Sequence, residues 1–140
     1  MKLDLEYIKQ ILQIIEDSEI DSIKVVSVLD KFDLPSGMMY PGNDKYIDAC
    51  KLKKHLSHLI ELGFVSTSTS NDIFMTGNDG VGVMTNPKIA LTVFGHQLLE
   101  SLNDTIWNKI KSNFGTITKE TLKQIPALAL GVAGQMIINK

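Results

Sequence analysis

The chain has no arginine. All 14 basic residues are lysines, set against 16 acidic ones, for a net charge of −2 over 140 residues. No global basic field therefore draws the chain onto nucleic acid. The commonest specific base contact, a two-pronged arginine on guanine, is also missing. Cysteine occurs once, at Cys50, which excludes an internal disulfide and a cysteine-based zinc cluster. Long apolar runs are scarce too. The opening residues 1–8 lack the uninterrupted apolar stretch of about 7–15 residues that a secretory signal needs. The most apolar segment, 125–138, contains Pro126 and Gln135. As a helix it would span about 21 Å, against about 30 Å for a bilayer core. No lipidation signal stands at either end. The expectation is a cytoplasmic protein with no membrane partner.

What is present fits one packed domain: 44% of residues are hydrophobic and 21% charged. Leu3, Leu5, Ile8, Ile11, Leu12 and Ile15 repeat near the helical period, with Asp4 placed to cap them, so residues 4–17 are expected to form a helix. Residues 21–32 fit a helix capped by Asp21 or Ser22, although their β-branched content also suits a strand. Pro35, Gly37, Pro41 and Gly42 make 33–44 a loop, with room for a short strand at 38–40.

A strong helix is expected over 45–62, stopped by Gly63. Steps of about 100° put Ala49, Leu52, Leu56, Leu59 and Ile60 on one arc and Lys51, Lys53, Lys54, Ser57, His58 and Glu61 on the other. Two extended runs, 64–76 and 81–93, flank Gly77-Asn78-Asp79-Gly80, which reads as a hairpin turn. Ser66 to Ser70 and Asn86-Pro87 would split its ladder into two parts. A third strong helix is expected over 94–113, ended by Gly115. A final helical segment is expected from Thr116 to about Asn139, kinked or restarted at Pro126. The fold class expected is α+β. Residues 1–114 would form a winged helix-turn-helix-like domain with a long β-hairpin wing. Residues 115–140 would add a C-terminal apolar helix packed on the domain or on a second subunit.

Two stretches carry a family resemblance. One runs Lys54-His55-Leu56-Ser57-His58-Leu59-Ile60-Glu61-Leu62-Gly63-Phe64-Val65. The other runs Leu91-Thr92-Val93-Phe94-Gly95-His96-Gln97-Leu98-Leu99-Glu100-Ser101-Leu102, then Asp104-Thr105-Ile106-Trp107-Asn108-Lys109-Ile110-Lys111. With the opening Met1-Lys2-x-Asp4-Leu5, the chain resembles a bacterial and prophage family, domain of unknown function 2513. The resemblance covers most of residues 1–111. It departs at His58, where the family usually carries an apolar residue, and in a longer insertion at 66–88. It implies a winged-helix-like fold and a phage or mobile-element setting. It implies no activity.

His55 falls inside the apolar arc of its helix, which suits a buried, hydrogen-bonded histidine tying the helix to the wing better than a ligand or an acid–base group. Cys50 lies about 140° around the helix from His55, so Cys50, His55, His58 and His96 do not converge, and no metal or cofactor is expected. Gly77, Gly80 and Gly82 lack the following helix of a phosphate cradle and read as turn residues. His96 stands four residues before Glu100, with Asp104 further on, and no nucleophile is placed beside it.

Two surfaces remain. Lys51, Lys53, Lys54, Ser57 and His58 form the face that could meet DNA phosphates, though a solvated helix face is an equal reading. Leu122, Ile125, Ala129, Val132 and Met136 step by three and four, a heptad seam for a homodimer or for packing on the chain itself. The expected function is a DNA-binding regulator of double-stranded DNA. The alternative is a non-enzymatic module that binds a protein partner.

Overall fold

The computed structural model describes residues 3–18, 22–35, 37–68, 73–77, 79–83, 87–103, 116–117 and 122. These residues form a mixed α+β architecture. Strand β1 (Leu3–Asp4) leads into helix α1 (Leu5–Glu16). The Asp4 carboxylate accepts the N–H groups of Glu6 and Tyr7 at 3.0 and 3.3 Å, so the expected cap is formed. Leu5, Ile8, Ile11, Leu12 and Ile15 are all buried. Helix α1 is the centre of the core.

The 21–32 segment holds both a strand and a helix. Ile23–Lys24 form β2, and Val25–Lys31 form α2. The cap position is Lys24, which makes no side-chain cap bond, so Ser22 does not hold it, and Asp21 lies outside the described residues. The strand is made by pairing, with Ile23 opposite Ile89 and Lys24 opposite Lys88. Beyond helix α2 and its cap residue Phe32, Asp33 turns the chain with a left-handed φ of 56°. Lys45 holds this turn: its Nζ lies 2.7 Å from the Asp33 carbonyl oxygen and 2.6 Å from the carboxylate. That ammonium keeps the Asp33 carboxyl below its ordinary range.

Helix α3 (Tyr46–Glu61) buries Ala49, Leu52, His55, Leu56 and Leu59. Gly63, at φ 84°, ends it. The Phe64 N–H reaches the Leu59 carbonyl and the Gly63 N–H the Ile60 carbonyl, the paired bonds of a Schellman ending.

The chain after Gly63 forms two nested ladders, as the polar breaks suggest. Strand β3 (Val65–Thr67) pairs with β6 (Lys88–Leu91), and β2 joins the other edge of β6. The resulting antiparallel sheet has the order β2-β6-β3. Inside the insertion, β4 (Phe74–Gly77) pairs with β5 (Gly80–Val83), with Gly77 opposite Gly80 and Asp79 at φ 65°. Only Met39 of the 38–40 stretch joins a ladder, through a bridge to Val81. A Cβ at Gly82 would collide with the Met38 side chain, and one at Gly80 would meet the Tyr40 ring. These glycines let the 38–40 loop lie flat on β5.

Helix α4 (Val93–Asn103) is fixed by its first turn. The Thr92 hydroxyl accepts the Gly95 N–H at 3.1 Å and donates to the Gly63 carbonyl. The Thr92 N–H donates to the Phe64 carbonyl. A Cβ at Gly95 would strike that same carbonyl oxygen. Thr92 and Gly95 thus lock the start of α4 onto the end of α3.

The expected helix starting at Thr116 is corrected. Thr116–Ile117 form β7, with Ile117 opposite Leu3 and Thr116 opposite Asp4. This pair of strands closes the start of the chain onto the segment after residue 115. Pro126 and Gly115 lie outside the described residues.

Candidate groove beside helix α3

Helix α3 packs against α1 and β3 through its buried arc, while β5 runs along another flank. Residues 46, 50, 53 and 57 fall within an arc of about 60° on an ideal helix, and they face β5. The Tyr46 hydroxyl donates to the Asp79 carbonyl at 2.9 Å, pinning the hairpin tip to the start of α3. The Cys50 thiol, burial and the Asp79 carboxylate together push the Tyr46 hydroxyl above its ordinary pKa. Tyr46, Cys50, Lys53, Lys54, Ser57, His58, Asp79, Gly80 and Val81 line an open groove of about 550 Å³.

The five residues expected to form one DNA face are divided by this packing. Lys53, Lys54, Ser57 and His58 line the groove and are half-buried. Lys51 turns the other way. Its Nζ is 3.5 Å from the Asp4 carboxylate and 4.5 Å from the centre of the Tyr7 ring. His58 Nδ1 stands 3.3 Å from the Glu61 carboxylate. Among the described residues, neither Lys53 nor Lys54 makes an ion pair.

His55 is buried, as its place on the arc implies, but its partner is the start of α1 and not the wing. Its Nε2 accepts the Asp4 N–H at 2.9 Å, and its Nδ1 lies 2.8 Å from the Lys51 carbonyl oxygen. A carbonyl can only accept, so the proton sits on Nδ1 and the ring is neutral. Burial first, then the Lys54 and Lys51 ammonium groups, lower its pKa against the raising pull of the Lys51 carbonyl. The Tyr7 ring packs on it, centroids 4.8 Å apart. Burial, then the carboxylates of Asp48 and Asp4, raise the Tyr7 hydroxyl pKa far above its usual value.

His96 does not pair with Glu100. Its Nδ1 is 2.9 Å from the Glu16 carboxylate at the end of α1, and Asp104 lies outside the described residues. Among the described residues, no three His, Cys, Asp or Glu side chains are grouped to hold a metal. No described helix is long and apolar enough to cross a membrane. In the heptad seam, Leu122 is fully buried within the single chain. Ile125, Ala129, Val132 and Met136 lie outside the described residues.

Sequence reasoning missed the walls of the groove. Tyr46 and Cys50 stand on the same helical stripe as Lys53 and Ser57, at spacings of four, three and four. That stripe was legible. Asp79 and Val81 were not, because only the fold-back of the hairpin brings them to α3. A second cleft, of about 460 Å³, lies by the α2–α3 loop and is lined by Asp30, Asp33, Asp44 and Lys45 among others. Acidic groups thus gather at the entry to α3, away from Lys53 and Lys54.

Compared with protein-family models, curated proteins and solved structures, the chain has no match in any of the three.

Proposed function

We propose that the chain is a winged helix-turn-helix protein of phage or mobile-element type, similar to the domain of unknown function 2513 family, and that it binds double-stranded DNA without catalysing a reaction. The observation that carries the reading is the pairing order. A strand between the first two helices, a helix ending in Gly63, and a sheet of order β2-β6-β3 support a winged-helix reading, in which α3 would take the recognition position. Lys53 and Lys54 supply two positive charges on that helix, with no carboxylate partner among the described residues. Lys51 contributes less, because Asp4 already engages it. The cytoplasm is the compartment that goes with this role. The test is a fluorescence-anisotropy titration of labelled duplex DNA. Lys53→Gln with Lys54→Gln should weaken binding measurably in low salt, while unchanged binding would contradict the assignment of α3.

A second reading, a protein-interaction module, is favoured by one observation. Val93 and Phe94, consecutive at the start of α4, are 70% and 63% exposed, and Ile47 on α3 is 77% exposed. Exposed large apolar side chains next to one another are a feature of contact surfaces. The homodimer expected through the heptad seam belongs to this reading, without Leu122, which is already buried within one chain. Phe94→Ser that leaves both folding and the mass in solution unchanged would count against self-association through α4.

A further inference from the structure

We propose that the groove between α3 and β5 binds a small amphipathic anion, with an apolar body and one carboxylate or sulfonate end. The groove's volume of about 550 Å³ lies inside the range of about 300–1,000 Å³ typical of small-ligand pockets. It runs from Tyr46 to Ser57, about 16 Å along the helix.

The chemistry of the walls selects the ligand. At one end stand the Tyr46 ring, the Cys50 thiol and Val81, which is buried at 7% exposure. The Tyr46 hydroxyl is already spent on the Asp79 carbonyl. No described buried side-chain nitrogen or oxygen lacks a hydrogen-bond partner. This end therefore asks for no polar group from a ligand and accepts an apolar body. Further along, Lys53 and Lys54 bring two ammonium groups with no carboxylate partner among the described residues. His58 is turned to Glu61, and Ser57 adds a hydroxyl. Among the described lining residues, the groove thus carries two lysine cations against one aspartate, Asp79, in a chain whose net charge is −2. An anion at the lysine end with its body along Tyr46, Cys50 and Val81 satisfies both halves at once. A dication or a neutral polar molecule satisfies neither.

This inference needs only the groove and does not rest on DNA binding. The probe is anilinonaphthalene sulfonate, a fluorescent amphipathic anion, titrated into the intact chain without DNA. Its uncharged counterpart, phenylnaphthylamine, is titrated in parallel. The expected result is one saturable site for the anion. Lys53→Gln with Lys54→Gln should weaken the anion by about tenfold, the effect of one charge-assisted contact, and leave the neutral probe unchanged. Ser57→Trp should fill the groove and remove both probes, with circular dichroism and the thermal midpoint verifying its fold. Decanoate and naphthoate then compete for the site: displacement by decanoate assigns a chain-like body, and by naphthoate a flat one. Displacement by neither overturns the proposal. So does an anion affinity unchanged in the lysine variant, or unchanged in a folded Ser57→Trp chain.

Discussion

The backbone N–H of Asp4 donates to Nε2 of His55 across 2.9 Å, joining positions 51 residues apart. Asp4 caps α1 with its carboxylate while its N–H holds α3. His55 uses both ring nitrogens, one for Asp4 and one for its own helix at the Lys51 carbonyl. This junction ties the central helix to the helix that carries the groove. His55→Ala should cost about 1–3 kcal/mol, because it leaves the Asp4 N–H without its partner. Urea unfolding of the variant beside the parent chain measures this.

The same junction makes stability depend on pH. His55 has a lowered pKa in the fold and an ordinary one, about 6.5, when unfolded. Above that value both states are neutral and its contribution is complete. As pH falls below it, the unfolded chain takes up a proton that the folded chain refuses, so stability drops until the folded pKa is reached. His55→Gln keeps an acceptor and cannot titrate there. The stability gap between parent and His55→Gln should therefore narrow from pH 7 toward pH 5. A constant gap would show that His55 titrates alike in both states.

Gly95→Ala should be destabilising by about 1–3 kcal/mol despite alanine's better helix propensity, because its methyl group meets the Phe64 carbonyl oxygen. Gly37, with open space around it, is the control position. Thermal midpoints of the two alanine variants should separate clearly.

Thr92→Val should cost about 1 kcal/mol or more, since it removes the cap of α4 and the tie to Gly63 together. Thr92→Ser should restore most of the loss. Equal midpoints for valine and serine would show that the hydroxyl contributes nothing.

Tyr46→Phe should free the hairpin tip from α3 by removing the bond to the Asp79 carbonyl. The Met39–Val81 bridge remains, so the hairpin loosens without the core unfolding. Amide exchange should quicken at β4 and β5 and stay unchanged in α1.

Much of the helical frame was legible in the sequence. The α1 periodicity, the Asp4 cap, the Gly63 ending and the glycine-marked turn of the insertion are local signals. What was not legible is made by distant pairing. Ile23–Lys24 becomes a strand only because Lys88 and Ile89 lie beside it, and two residues carry too little pattern to announce that. Thr116–Ile117 becomes a strand against Leu3–Asp4 for the same reason. Helical angle alone places the lysines on one surface. It does not reveal that a hairpin tip lies across an open groove from Lys53 and Ser57, or that Asp4 draws Lys51 away. Thr92 and Gly95 stood within the family resemblance as residue types, and the structure gives their physical reason: a cap and a missing methyl group.

The central claim, that α3 meets DNA phosphates through its lysines, is tested most directly by the salt dependence of duplex binding. The logarithm of affinity should fall with the logarithm of salt concentration. Lys53→Gln with Lys54→Gln should flatten that slope by about 2, one phosphate contact for each lysine. A slope near zero in the parent chain would mean that no phosphate is neutralised and would contradict the claim.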